Sequence, residues 1–222
     1  MIICGIDQSI SSSALTIFKD GKLYFYNYTN KKSNYKWIKD TNNLITYSHH
    51  NFIYSEDYSE SEVDKLACSD ELANKIVDTI KEIVGEEEAL VYIEGYSYSS
   101  NGKLLDLVQF ATLIRYKVIY SPNLKLIVVP PSSLKSFMGA MLYEKDKKGV
   151  YRNENGKASG SFDKKDMMVA LLKLNLNYPY IKYLEQHKDE LLASANIPKP
   201  FDDINDSLLF VYYGCIKNNI QI

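Results

Sequence analysis

The chain opens with a short unbroken apolar run, Ile2–Ile6, that stops on Asp7. A run of that length bounded by polar residues predicts a buried strand. "SSALTIFKDGKLYFYNYT" (12–29) follows, two apolar segments split by Asp20-Gly21, a dipeptide suited to a tight hairpin. The first three strands should therefore form an antiparallel meander. Residues 29–60 are polar, rich in Asn, Ser and Tyr, and show no usable period. From 59 to 84, Val63, Leu66, Leu72, Ile76, Ile80 and Ile83 recur at helical spacing. "ALVYIE" (89–94) reads as another buried strand, and it too ends on a carboxylate, Glu94. A second amphipathic helix over 103–120 and a fifth strand over 124–130 complete this half.

After Pro130-Pro131 come a short helix (132–139), an excursion rich in Lys, Gly, Asn and Tyr (141–162), and a helix over 164–174. A helical stretch (181–193) and a proline-punctuated loop (196–201) lead to the last helix. Three strands in a row, then helix and strand in alternation, describe an α/β fold: a mixed five-stranded sheet flanked by helices.

Composition narrows the class. At 222 residues the chain suffices for one well-formed core and reads as a single domain, 1–222. With 45% hydrophobic and 24% charged residues, wholesale disorder is excluded. No apolar run approaches the roughly 18 residues of a membrane span. "MIICGIDQS" has no basic leader segment or cleavage pattern. Cys4, Cys68 and Cys215 form neither a disulfide framework nor a zinc pattern, so a reducing, cytoplasmic setting is expected. The net charge of −2 sits awkwardly with a nucleic-acid partner. A cluster of carboxylates lowers that total, however, and bound divalent cations restore it locally.

The acids repay attention as a set. Glu94 follows a run that reads as a central strand, where an ionised group is costly unless paired or metal-bound. In "PKPFDDINDSLLFVYY" (198–213), Pro198 and Pro200 resist helix, so Asp202 reads as the N-cap of the last helix. Asp203 and Asp206 then fall at i and i+3, near enough to share a ligand, on the edge of the apolar arc of Leu208, Leu209, Tyr212 and Ile216. Two strand-terminal acids and an acidic pair opening a helix can meet at one sheet edge, where they repel unless cations intervene. Oxygen donors without His or Cys suit Mg²⁺ or Mn²⁺ rather than zinc. Two such ions typically drive in-line phosphodiester hydrolysis, so a magnesium-dependent phosphoryl-transfer enzyme is the leading reading.

The sequence also resembles the RuvC-like Holliday junction resolvases of the ribonuclease H-like superfamily, particularly their phage-borne members. "GIDQSISSSALTIF" looks like the opening strand and hairpin of that family, and "VYIEGYSYSSNGK…LDLVQFATLI" like its glutamate strand and following helix. "VPPSSLKSFMGA" is similar to its P-x-x-[LV]-K-x-x-x-G segment, "SFDKKDMMVALLKL" to its lysine-led helix, and "DDINDSLLFVYY" to its closing D-x-x-D-[AS]-L helix. The order is right over most of the chain. The resemblance implies a homodimeric endonuclease that nicks four-way DNA junctions with two Mg²⁺ ions. It implies that Asp7, Glu94, Asp203 and Asp206 bind metal and are catalytic, assisted by Lys164 or Lys165. Lys135 falls on the lysine of the P-x-x-L-K segment, suited to DNA phosphate.

Three departures from the family pattern stand out. Tyr96 and Tyr98 bracket the position of its base-contacting aromatic, which Ser97 occupies here. Residues 29–60 form a longer connection and add Trp37 and His49-His50, read as surface residues. The 141–162 insertion carries Lys147, Lys148 and Arg152 among tyrosines and acids, a mix suited to phosphate and base contact or to a plain solvated hairpin. Rival readings are a nuclease of the same fold acting on other branched DNA or RNA–DNA hybrids, and a binding protein that lost its chemistry. An actin-like ATPase wants a glycine where Ser9 stands, and two domains.

Overall fold

The computed structural model describes residues 1–96 and 104–222, so Ser97 and Tyr98 lie outside the described residues. The meander forms as expected: β1 (Ile2–Asp7), β2 (Ser12–Lys19) and β3 (Lys22–Thr29) pair antiparallel. Asp20 and Gly21 take φ of 51° and 73°, the left-handed pair that closes a two-residue hairpin between Lys19 and Lys22. β5 (Ala89–Glu94) then lies parallel to β1, and β6 (Leu124–Val129) parallel to β5.

A sixth strand is added to the expected five. β4 (Thr46–His49) runs parallel to β3 at the sheet's edge, within the stretch whose sequence has no period. A short helix, α1 (Lys36–Thr41), precedes it. The sheet order is β4-β3-β2-β1-β5-β6, the mixed, helix-flanked arrangement of the ribonuclease H-like fold.

Strand alternation assigns the two faces. Ile2, Cys4 and Ile6 of β1 pack with α2 (Tyr58–Val84) and α3 (Leu104–Ile119). Leu72, Ile76 and Ile80 of α2 are buried there, whereas Val63 and Leu66, though at the right spacing, stay exposed on its first turns. The other face carries α4 (Pro131–Leu142), α5 (Lys164–Lys173), α6 (Pro179–Gln186), α7 (Lys188–Ala193) and α8 (Phe201–Lys217). The stretch 181–193 is thus two helices, broken at His187. Trp37 is not a surface residue: it is buried, edge-on to Phe201 at 5.2 Å and His187 at 6.1 Å.

The 141–162 excursion folds back as a structured hairpin, with bridges pairing Lys145 to Tyr151 and Arg152 to Ala158. Lys157 pins it to the start of α5 through Asp163 and Asp166. No helix among the described residues is long and apolar enough to cross a membrane.

One close approach positions the site. A Cβ on Gly5 would stand 2.1 Å from the Ser207 carbonyl oxygen, so only glycine lets β1 lie this near α8. The buried hydroxyls of Thr16 and Ser207 meet at 2.7 Å and hold β2 to the same helix. The acidic first turns of α8 are thereby fixed beside the C-terminal end of β1.

Candidate active site

Ile6 pairs with Ile93 across the parallel β1–β5 ladder, and both point into the α2/α3 core. One residue further, Asp7 and Glu94 therefore stand side by side and face the opposite way, toward α8. Asp7, Glu94 and Asp206 line one cleft of about 300 Å³, together with Lys135 and Lys164. Asp203 lies just behind, 1% exposed and close enough to Asp7 to repel it. The four acids expected to act together are thus brought to one sheet edge.

Their charges are strongly perturbed. Loss of hydration drives the Asp7 carboxyl well above the ordinary range, and Asp206 and Asp203 push it further. Glu94 is raised for the same reason, with Asp206 adding to it. Asp203 and Asp206 are also raised, chiefly by burial, although Lys199 and Lys164 respectively pull them back. Asp203 Oδ2 is buried with no hydrogen-bond partner among the described residues; the Ser12 hydroxyl favours its ionised form without meeting it in bonding geometry.

Two lysines thread between these acids. Lys164 Nζ bridges Asp206 and Asp202, the latter at 2.9 Å. Lys199 Nζ bridges Asp203 and Asp202, the latter at 3.0 Å. Burial works against the charge on both lysines, but the surrounding carboxylates win and raise their pKa. Asp202 shows the reverse balance: burial pushes it up, and the two lysines hold it below the usual carboxylate range. Its assignment as the helix N-cap is therefore corrected. Pro200 precedes the first helical residue, Phe201, without a side-chain cap, and Asp202 sits inside the first turn. Its Oδ atoms are committed to lysines and do not cap.

Of the two lysines at the start of α5, Lys164 lines the cleft. Lys165 points elsewhere, its Nζ donating to the Leu192 carbonyl at 2.8 Å. Tyr96 is held in place: its ring lies 3.9 Å under the Arg115 guanidinium, and its hydroxyl meets Thr112 at 2.7 Å. Arg115 also donates to the Glu94 backbone oxygen at 2.6 Å, as does Gln8 Nε2 at 3.3 Å, so the end of β5 is braced from two sides. Arg152 pairs with Asp146 at 2.7 Å, while Lys147 and Lys148 stand exposed at the hairpin tip, away from the cleft.

Lys199 and Arg115 contact the site without being named from the sequence, and Asp202 is named there only as a cap. Lys199 had a signal: it precedes Asp202 and Asp203 by three and four residues, the spacing at which ion pairs form across a helix turn.

By donor type these residues suit a divalent cation. As they stand, among the described residues no three acids close on a common point, and Lys164 and Lys199 pair with the acids of α8. Yet the donors are all oxygens, the buried Asp203 Oδ2 has neither a hydrogen bond nor an ion pair among the described residues, and five acids face three lysines. Such a set favours a hard, oxygen-seeking ion.

No protein-family model and no curated protein matches the sequence. Solved structures do. The yeast mitochondrial Holliday junction resolvase Ydc2 aligns over 94% of this chain and 75% of its own, at 13% identity and a TM-score of 0.50. Thermus thermophilus RuvC aligns over 98% of this chain and 97% of its own, at 11% identity and a TM-score of 0.47. The fowlpox virus Holliday junction resolvase aligns over 98% and 99%, at 13% identity and a TM-score of 0.37. At these identities the likeness to Ydc2 is one of fold.

Proposed function

We propose that this protein is a divalent-metal-dependent endonuclease that resolves four-way DNA junctions. The observation that carries the reading is the convergence of Asp7, Glu94, Asp203 and Asp206 on one sheet edge, with Lys164 among them. Carboxylates so crowded and dehydrated raise one another's pKa and have no evident use in a passive scaffold.

Asp7, Glu94, Asp203 and Asp206 would hold Mg²⁺, or Mn²⁺ in its place. When bound, such ions lower the pKa of water and offset charge on a scissile phosphate. The chain's own residues supply the rest. Lys164 places a positive charge at the cleft, suited to a phosphate oxygen, and Lys135 adds a second on the Glu94 side. Lys199 and Asp202 hold Asp203 in position from behind. Symmetric nicking of a junction requires two such sites, so the reading includes a homodimer.

The fold shared with Ydc2 supports the choice of branched DNA. The test is Mg²⁺-dependent cleavage of a synthetic four-way junction against linear duplex, flap and RNA–DNA hybrid. Preferential junction cleavage, lost in Asp206→Asn, is expected. Preferential hybrid cleavage keeps the chemistry and overturns the resolvase assignment. An Asp206→Asn protein as active as wild type overturns the site. Light scattering that finds only monomer at micromolar concentration rejects the paired-nicking part.

A further inference from the structure

A second cavity, about 580 Å³, opens around the rim of the sheet from the acidic cleft. It is lined by Ser9 of the β1–β2 loop, Asn30 at the end of β3, His50, Phe52, Tyr54 and Lys65. Ser9 is only two residues past Asp7, within about 7 Å of chain. Phe52 packs with the α2/α3 core, whereas Asp7 faces α8, so cavity and cleft lie on opposite faces of one sheet edge.

The lining is specific in its chemistry. His50 and Phe52 form a stacked pair, ring centroids 4.5 Å apart and 28° from parallel. The His50 ring is fixed by a 3.0 Å bond between Nε2 and the Ile10 carbonyl. Neutral hydrogen-bonding groups, Asn30 and Ser9, surround this aromatic wall. The charges do not suit a phosphate: Lys65 is already paired with Glu62 at 2.6 Å, and Asp106 also lines the cavity. Flat aromatic walls with neutral polar edges, and among the described lining residues no cation without an acidic partner, suit an uncharged planar ring with donors and acceptors on its rim.

We infer that this cavity receives a nucleobase, unstacked from the DNA strand whose phosphate lies at the Asp7 edge. The inference rests on the nuclease reading above and adds a base-reading site on the other side of the same rim. A strand crossing the β1–β2 loop would present a phosphate to one face and a neighbouring base to the other. Extruding a base is least costly where pairing is already interrupted, as at the crossover of a junction.

The test is a binding cycle in the Asp206→Asn background with Mg²⁺, using junctions that carry one abasic site at each position near the crossover. Stacking of a base on an aromatic residue contributes about tenfold or more to affinity. At one position, base removal should weaken binding of the parent about tenfold and of Phe52→Ala hardly at all. Phe52→Ala and Asn30→Ala should each weaken binding of the intact junction. Should Phe52→Ala melt too low to use, Tyr54→Ala with Asn30→Ala completes the same cycle. Losses that simply add at every position, or variants that bind the intact junction like the parent, overturn the inference. The two readings fail differently. Wild-type cleavage with an additive cycle rejects only the base site, and a coupled cycle without wild-type cleavage rejects only the nuclease. Absence of any junction binding rejects both.

Discussion

The ammonium of Lys164, at the start of α5, is bonded to the carboxylate of Asp206, in the second turn of α8, 42 residues further along the chain. This contact draws together the helix expected to meet phosphate and the helix that carries the acids. Lys164→Met should lower junction cleavage by roughly a hundredfold or more, the usual effect of losing a charge placed beside a reacting oxygen. Lys164 is the ion-pair partner of Asp206 and Asp202, so its removal should also lower the melting temperature, and cleavage is compared well below the transition. Lys165→Met, whose ammonium holds the Leu192 carbonyl instead, should keep activity within a few-fold. Single-turnover cleavage and thermal melts of both variants check this, and equal losses would reject the assignment of Lys164.

Asp202 is ion-paired with both Lys164 and Lys199. Serine there would serve a helix N-terminus well, so a mere cap would tolerate the change. Because Asp202 orients two lysines, Asp202→Ser should instead reduce cleavage about tenfold, as loss of an outer orienting group does. Asp203→Asn and Asp206→Asn should each cost more than roughly a hundredfold. A wild-type rate for Asp202→Ser at saturating Mg²⁺ would show that Asp202 does not orient the two lysines for cleavage.

Asp7 titrates well above an ordinary carboxyl because it is dehydrated and faces Asp206 and Asp203. The sign follows directly. A carboxyl whose folded pKa is raised binds its proton more tightly in the folded state. The stability linked to that proton is full at low pH and is lost as pH rises through the folded pKa. At neutral pH in EDTA, Asp7→Asn should therefore melt higher than wild type by at least roughly 2 °C, the shift about 1 kcal/mol produces at this size. The gap should close as pH falls toward the ordinary carboxylate range. Mg²⁺ should raise the wild-type melting temperature more than that of Asp7→Asn. A variant that melts lower than wild type in EDTA at neutral pH would contradict the crowding described here.

Much of this arrangement is legible in the amino-acid sequence. Asp7 and Glu94 end apolar runs, and a run that stops on an acid at the C-terminal end of a central strand marks a rim in any parallel ladder. Asp203 and Asp206 were legible from i, i+3 spacing at a helix start. The role of Asp202 is not legible there because it depends on where the helix begins, and Pro200 can sit beside that start without entering it. β4 was invisible because its four residues, Thr46–His49, form a strand through pairing with β3 rather than through any apolar period of their own. The burial of Trp37 leaves no local signal because its partners, Phe201 and His187, lie more than 140 positions away. Tyr98 lies outside the described residues, so the bracketing pair is judged on Tyr96 alone, and that ring is occupied by Arg115.

Gly5 offers a test of how the fold sets the site, since it touches none of the acids in the cleft. A methyl group there meets the Ser207 carbonyl at 2.1 Å and the Phe210 Cβ at 2.9 Å, and backbone cannot rotate away as a flexible side chain can. Gly5→Ala must therefore push α8 off β1, carrying Asp203 and Asp206 away from Asp7. Overpacking of this kind typically costs about 1–3 kcal/mol, or roughly 2–4 °C of melting temperature per kcal/mol. Activity should fall further than that loss explains, because misplacing catalytic groups by about 1 Å costs on the order of a hundredfold. Comparing cleavage well below the melting transition with Mg²⁺ affinity by calorimetry separates the two effects. A Gly5→Ala protein that melts lower yet binds Mg²⁺ and cuts junctions like wild type would show that α8 is positioned by other contacts, the Thr16–Ser207 bond first among them.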